Sequence, residues 1–363
     1  MMVVRSVQTS DLESVLALAN ETGPGLTTLK PDRAALAARI DRIVRTVRGE
    51  APLFEQGYLF VMEDTATHEV VGVCGLEAAV GLELPFYNYR VSTVVHASKE
   101  LNVWSRTSLL TISHDLTGYA ELCSLFLSPR ARAHGAGSLL SRSRFMFIAQ
   151  FLDRFPERIC AEMRGFFDEH GESPFWQALG SHFYQIDFNA ADYLSAQGKK
   201  AFIAELMPRH PVYVRLLPEA AQTAIAVTHK DTLPARRMLE TEGLRYENHV
   251  DIFDAGPVLE CHTTDLRTVR ASRLLTVVAV GSAGKAGAGT AAAGEVDTVV
   301  DTYGSDTKCL VSNLAIDDFR VIATTARVSG DTIELDAERT AALKVGAGAK
   351  VRVLVQPSSA PRS

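Results

Sequence analysis

Residues 122–140 read LCSLFLSPRARAHGAGSLL, and this stretch decides how the rest of the chain is arranged. The apolar run at its start predicts a strand that ends at Ser128-Pro129, because proline has no N–H to donate to a β-ladder. The apolar periodicity of residues 138–151 predicts a helix. The glycines of the basic turn between them let backbone N–H groups approach a ligand closely. Those N–H groups, the helix dipole and Arg132 favour a phosphate-like anion.

The turn has the order strand, Pro, Arg-x-x-Gly-x-Gly, helix. It lacks the Gly-Lys-Ser/Thr of a Walker loop, and it lacks Gly-x-Gly-x-x-Gly directly after the strand, as a dinucleotide-binding turn requires. It resembles the acyl-CoA pyrophosphate loop of the GNAT acyltransferase superfamily, with Arg132, Gly135 and Gly137 on the motif positions. The alternative is a βα turn in which glycine serves only tight packing.

The composition of the 363-residue chain is that of an ordinary globular protein, with 47% hydrophobic and 22% charged residues. Its length fits two or three domains. The net charge of −6 gives no general reason to bind nucleic acid or an anionic membrane. Polar residues follow Met1 to Arg5 where a signal peptide would be apolar, and no apolar run could span a bilayer. We therefore expect a cytoplasmic protein without nucleic-acid or membrane partners.

The cysteines are odd in number and lie mostly in apolar, strand-like runs. They are Cys74, Cys123, Cys160, Cys261 and Cys309. Since no Cys-x-x-Cys pair offers a zinc or redox site, the pattern predicts buried reduced thiols and no bound metal.

Residues 1–188 predict a GNAT-like domain that carries the pyrophosphate loop. The expected order is a strand, two helices, antiparallel strands, the strand–turn–helix unit, a strand, a short helix and a final strand. The expected strands are 3–7, 58–62, 69–76, 85–95, 108–113, the run from about 120, 158–163 and 182–188. The helices are expected after Asp11 and Asp32, and the short helix 173–180 is expected to be closed by Gly180.

Residues 189–273 predict a second, weaker GNAT-like half. It repeats the strand–turn–helix–strand order of the first half. A strand is expected at 224–227, a turn at 228–232, a helix at 234–242 ending at Gly243 and a strand at 246–253. This half has no Arg-x-x-Gly-x-Gly loop of its own, so one cofactor site per chain is expected.

Residues 274–363 predict a small β-rich domain. Short strands are expected at 274–280, 296–300, 308–312, 319–328, 332–335 and 350–355. A Gly/Ala/Ser tract at 281–294 is expected to be a flexible loop. The strands indicate a small closed barrel or sandwich with a structural or oligomer-forming role. The predicted fold class is therefore α/β (α+β), with tandem GNAT-like halves and a C-terminal β-barrel-like domain.

Several stretches together resemble arginine N-succinyltransferases, a GNAT-related family. They are 20–29 (NETGPGLTTL), 161–165 (AEMRG), 173–176 (SPFW), 198–208 (GKKAFIAELMP) and 250–257 (VDIFDAGP). The resemblance implies that succinyl-CoA and L-arginine give N2-succinyl-L-arginine and CoA, in arginine catabolism. Related subunits also act on ornithine. A homo-oligomer, or a hetero-oligomer with a related subunit, is expected.

The resemblance also implies two site residues. The family's proton donor falls on His229, and a succinyl-CoA contact falls on Leu125. We expect Leu125 and Leu127 to line an extended CoA arm that lies along the strand like an added strand. A helix N-terminus next to His229 would lower the imidazole pKa. His134 competes for the catalytic role, although within the loop it would more naturally contact phosphate.

The substrates carry opposite charges. The guanidinium calls for a carboxylate pair. The candidates are Glu162, Asp168, Glu169 and Glu172 for the guanidinium, and Arg90 and Arg164 for the succinyl carboxylate. Two other functions stay open: an N-acetyltransferase that acts on another amine, and a non-catalytic CoA-binding subunit of a hetero-oligomer. A serine hydrolase is disfavoured because there is no Gly-x-Ser-x-Gly.

Overall fold

The computed structural model describes residues 1–22, 26, 28–133, 135–196, 198–199, 201–279 and 306–356. Its strands are β1 Met2–Ser6, β2 Gly57–Asp64, β3 Val70–Glu77, β4 Asn88–Ser98, β5 Val103–Ser113, β6 Ala120–Leu127, β7 Arg158–Glu162, β8 Val212–Tyr213, β9 Arg245–Asp251, β10 Pro257–His262, β11 Arg273–Ala279, β12 Asp306–Ser312, β13 Arg320–Ser329, β14 Thr332–Leu335 and β15 Lys350–Val355. Its helices are α1 Leu12–Asn20, α2 Arg33–Val47, α3 Ala136–Gln150, α4 Ser181–Tyr184, α5 Phe188–Ala196, α6 Ala201–Leu206, α7 Glu219–Ala224, α8 Leu233–Glu242, α9 Arg267–Ala271 and α10 Ala337–Leu343. The expected loop 281–294, the expected strand 296–300 and His134 lie outside these residues.

One sheet runs through the molecule in the order β1-β2-β3-β6-β7-β10-β9-β4-β5-β8. Beyond β1 it continues into β13, where Val4 pairs with Val321. Strands β12-β15-β11-β14-β13 close on themselves through a β12–β13 ladder, so they form a five-stranded barrel. The mixed α/β class and the C-terminal barrel are therefore confirmed. Helix α10, which had no counterpart in the prediction, packs Leu343 into the barrel core.

The first part of the chain folds largely as its local signals predict. Asp32 caps α2 by accepting hydrogen bonds from the N–H groups of Ala34 and Ala35. Helix α3 begins at Gly135, and α8 ends at Gly243, both in the left-handed conformation that favours glycine. Strands β2 and β3 form the predicted hairpin.

Two strand predictions are wrong. Residues 182–188 are helical: a π-helical turn, Trp176–Gly180, leads into α4, and Gln185 ends that helix with a φ of +53°. Gly180 therefore lies inside the helical segment and does not close it. The indole of Trp176 stacks on the ring of Tyr184 at 5.4 Å, and Tyr184 also packs edge-on against Phe202. This aromatic cluster decides the conformation, because a short apolar run alone fits a strand or a helix.

Residues 224–227 are also not a strand. Helix α7 ends at Ala224, and the N–H of Ala226 donates to the carbonyl of Ala255 from a left-handed conformation with a φ of +62°. Strand β10 pairs with β7, and β9 pairs with β10, so both continue the first sheet. The domain boundaries at 188 and 273 stay a prediction.

Candidate active site

The sheet opens between β6 and β7. These parallel strands pair only at Ala120 with Ile159 and at Glu121 with Cys160. Beyond that point β6 follows β3 on its far side, and β7 follows β10. The two strands diverge into a cleft of about 800 Å³, which the N-terminal ends of α3 and α8 also line. Diverging parallel strands are a place where a ligand can reach the backbone in the middle of a sheet.

A bulge in β6 shapes one wall of the cleft. The register against β3 shifts between Val73 and Gly75, and Ser124 takes a left-handed φ of +52°. Thr28 holds this bulge, since its hydroxyl accepts from the Ser124 N–H at 3.1 Å and its carbonyl accepts from the Ser124 hydroxyl at 3.0 Å. A bulge redirects the strand that follows it. Leu125 and Leu127, which follow it, are half-buried and line the cleft.

The glycine turn closes the other end of the cleft. Arg132, Gly135 and Gly137 all line it. Arg132 is exposed and donates from Nε to the Leu127 carbonyl at 3.2 Å. Gly135 has a φ of +81°, and among the described residues no side chain caps α3 at its N-terminus. The first N–H groups of this helix can therefore bind an anion.

His229 does not itself line the cleft but lies two residues before Asp231, which does, and we call this position the rim of the cleft. Its N–H donates to the Arg164 carbonyl at 2.8 Å, and its Nδ1 accepts from the Asp231 N–H at 3.2 Å. That contact leaves Nε2 to carry the proton of the neutral ring. The cleft itself is lined by the next residues, Asp231 and Thr232. The His229 side chain is only 11% exposed, and its ring packs edge-on against Phe167.

The pKa of His229 is lowered, as the sequence led us to expect, although the main cause differs. Burial of the ring is the largest contribution, followed by the nearby cation of Arg164. Asp231, whose Oδ2 lies 3.7 Å from Nδ1, acts in the opposite direction. At neutral pH the resting imidazole is therefore mainly uncharged.

Two further arginines, besides Arg132, line the cleft. Arg164 lies over the ring of Phe167 at 4.6 Å, and burial lowers its pKa. Arg144 on α3 is 2% exposed and donates to the carbonyl and hydroxyl of Ser141. Arg144 was not among the predicted site residues, although an arginine in a largely apolar helix can indicate a functional residue. Arg90, the other predicted cation, pairs with Asp115 and does not line the cleft.

Carboxylates line the wall opposite the glycine turn. They are Glu121, Glu162, Asp192, Asp251 and Asp254. Of the predicted guanidinium ligands only Glu162 is among them. Asp168 instead accepts the N–H groups of His170 and Glu172 within its own loop, and the Glu169 side chain is 89% exposed. Asp251 and Asp254 belong to the 250–257 stretch, which carries the family resemblance but was not predicted to bind the guanidinium.

The described part of the chain contains no group of three or more His, Cys, Asp or Glu side chains that could hold a metal ion. None of its helices is both long and apolar enough to cross a membrane.

The cleft between the diverging strands, with the N-terminus of α3 at one end, fits an acyltransferase that uses an acyl-CoA. Comparison with known proteins agrees. Residues 2–268 match the family model "Arginine N-succinyltransferase beta subunit", and residues 294–354 match the model of its C-terminal domain. The chain belongs to this family.

Relatives match along almost the whole chain. An Escherichia coli arginine N-succinyltransferase is 48% identical and one from Citrobacter koseri 49%, each covering 98% of this chain and 97% of the relative. The solved arginine/ornithine succinyltransferase subunit AI from Pseudomonas aeruginosa superimposes with a TM-score of 0.84 at 32% identity, covering 99% of both chains. This chain is therefore similar to full-length enzymes.

Proposed function

We propose that this protein transfers the succinyl group of succinyl-CoA to the α-amine of L-arginine, giving N2-succinyl-L-arginine and CoA. The observation that carries the proposal is the cleft between β6 and β7, with the α3 N-terminus at one end, His229 at the rim and acids on the opposite wall. Its full-length relatives are named for this reaction.

The acyl-CoA would occupy the cleft from the glycine turn inward. The pyrophosphate would bind the N–H groups at the start of α3 together with Arg132. The pantetheine would run along β6 past Leu127 and Leu125 and use the main-chain groups that β7 does not pair. The bulge at Ser124 ends this extended segment, so we place the thioester beside it.

His229 would supply the proton that the departing thiolate needs. The neutral α-amine attacks the thioester carbonyl, a tetrahedral intermediate forms, and its collapse breaks the carbon–sulfur bond. The protonated ring would donate from Nε2 to the sulfur, since Nδ1 faces the Asp231 N–H, and the proton that the attacking nitrogen loses would pass to water. Burial lowers the pKa of this imidazole, which makes its protonated form a stronger acid.

Arg164 would distinguish a succinyl from an acetyl group. It lines the cleft beside His229, whose N–H donates to its carbonyl, and its buried Nε has no hydrogen-bond partner among the described residues. A second carboxylate on the acyl group would give the guanidinium a bidentate partner. Acetyl-CoA offers no such partner.

A matrix of thioesters and amines tests the proposal. Succinyl-CoA and acetyl-CoA are each assayed with arginine, ornithine, lysine and other amino acids, with CoA release as the readout. We expect the succinyl-CoA and arginine pair to give the highest kcat/KM. A preference for acetyl-CoA would indicate an N-acetyltransferase, and no CoA release by the purified chain would indicate a non-catalytic CoA-binding subunit.

We also propose that the enzyme is cytoplasmic and works as an oligomer of its own copies or with a related chain. The P. aeruginosa protein is described as a subunit, which supports an assembly. Light scattering of the purified chain, alone and with a related subunit, tests the assembly.

A further inference from the structure

A second cleft of about 340 Å³ meets the first one at the acid wall. The two share Thr28, Glu121, Glu162, Asp251 and Phe253. Three of these five residues are acids. If acyl-CoA occupies the first cleft from the glycine turn, the second cleft is a separate route by which another molecule can reach the same acids.

The sheet register brings a polar side chain to this junction. Asn88 on β4 lies directly opposite Asp251 on β9, so the two side chains point to the same face of the sheet. The Asn88 Nδ2 also donates to Glu162 Oε1 at 2.8 Å. Asn88, Asp251 and Glu162 therefore form one cluster, although they are far apart in sequence.

Two buried oxygens at this cluster lack hydrogen-bond partners in the part of the chain that the structure describes. They are Asn88 Oδ1, on a residue that is 1% exposed, and the hydroxyl of Tyr184, which is 4% exposed. The Tyr184 hydroxyl interacts electrostatically with Asp251 and with Tyr87, which lines the second cleft. An unpaired buried acceptor costs free energy, so a donor that arrives there is bound favourably.

Two cations near this cluster pair with acids outside it. Arg39 faces Glu121 and pairs with Glu77, and Lys30 pairs with Asp192 at 2.6 Å. No Lys or Arg forms an ion pair with Asp251 among the described residues. Burial raises the pKa of Asp251, and a bound cation would oppose that rise by stabilising the carboxylate.

We propose that Glu162, Asp251 and Asn88 bind the guanidinium of the amino-acid substrate, which enters through the second cleft. A guanidinium presents five N–H donors and no acceptor, and this cluster presents two carboxylates and an amide oxygen in need of a donor. Bound there, the substrate directs its α-amine into the first cleft. This assignment rests on the proposed function, because it assumes an acceptor that carries a guanidinium.

Glu162→Gln is the central test, because Gln keeps an oxygen that can accept from Asn88 Nδ2 and loses only the charge. We expect kcat/KM for arginine to fall about 30-fold or more, as for loss of one partner of a buried charged pair, with KM for succinyl-CoA unchanged. Asn88→Ala and Asp251→Asn should act in the same direction. Citrulline, a neutral analogue of arginine, should not be a substrate.

Glu169→Gln is the matched control, since it removes the same charge from a side chain that is 89% exposed. It should leave KM for arginine unchanged. Arginine affinity is also measured by calorimetry with CoA present, which needs no turnover. Succinyl transfer to arginine by the wild type, with unchanged arginine affinity in Glu162→Gln and Asn88→Ala, would overturn the assignment alone. Arginine binding that depends on Glu162 without succinyl transfer would overturn the proposed function alone.

Discussion

The cleft and the C-terminal barrel are both built from β-strands, but they differ in how completely those strands are paired. In the barrel every strand of the five has two neighbours, and the core is formed by aliphatic side chains such as Leu275, Ile333 and Leu343. In the cleft, β6 and β7 part after two paired residues, Ser124 is strained, and charged side chains are buried. Strand pairing and an apolar core stabilise the barrel, whereas the cleft lacks such stabilising contacts at the place where substrates must bind.

The largest expected effect is on catalysis at the cleft. We expect His229→Ala to lower kcat by roughly 10²–10⁴-fold, because a general acid contributes about that much. The acyl-CoA site does not depend on the imidazole, so the affinity for CoA should stay close to that of the wild type, whereas the melting temperature should fall slightly because the ring caps the turn at Asp231. Steady-state kinetics, a thermal melt and CoA titration check this. Full activity would exclude the proton-donor role.

The matching change in the barrel should affect stability instead. Leu343 on α10 is fully buried in the barrel core. Leu343→Ala should lower the free energy of unfolding by about 2–5 kcal/mol, because it removes apolar contacts and leaves a cavity. Denaturant unfolding measures the loss. The molecules that remain folded should keep the wild-type KM for both substrates, and a changed KM would contradict a purely structural role for the barrel.

The pH dependence of catalysis should report His229. The reaction needs a protonated imidazole and an unprotonated amine. This combination is most populated between the pKa values of the two groups. Because burial lowers the pKa of His229, the acid limb of kcat/KM should begin below pH 6.5, about where an unperturbed histidine titrates, and then fall about tenfold per pH unit. In His229→Gln only the requirement for an unprotonated amine remains, so kcat/KM should keep rising with pH beyond this point. A profile that levels off at the same pH in the variant would assign the break to another group.

The same histidine should make the folded state less stable in acid. Its pKa is lower in the folded protein than in the unfolded chain, so the unfolded chain binds the proton more tightly. The associated loss of stability is absent above the unfolded pKa and grows as the pH falls toward the folded value. Comparing unfolding of the wild type and His229→Gln between pH 7 and 5 measures it.

The smallest expected effects are those of alanine substitutions at two glycines, one in the cleft and one in the barrel. Gly135 at the start of α3 and Gly330 in the barrel both have positive φ, and a Cβ on either would meet no atom within 4 Å. Alanine at either position should therefore cost about 1–2 kcal/mol from backbone strain alone. Only Gly135→Ala should also raise KM for acyl-CoA. An equal KM in both variants would remove the glycine turn from the binding site.

Sequence reasoning worked where the deciding contacts are local. The strand–turn–helix at 120–150, the cap at Asp32 and the stop at Gly243 all follow from neighbouring residues. It failed at 182–188 and 224–227, where aromatic packing and a hydrogen bond to Ala255 decide the conformation. The acid junction could not be predicted, because Asn88, Glu162 and Asp251 meet only through the sheet register.

The shared strand β1 has a consequence for folding. Residues 3–5 pair with residues 320–322, and Val3 contributes to the barrel core while Val4 contributes to the core under the main sheet. During synthesis this edge of β1 stays unpaired until more than three hundred further residues have been added. Until then the apolar strand can pair with a neighbouring chain. We expect fragments that stop before β13 to aggregate, even though they contain every residue assigned here to catalysis.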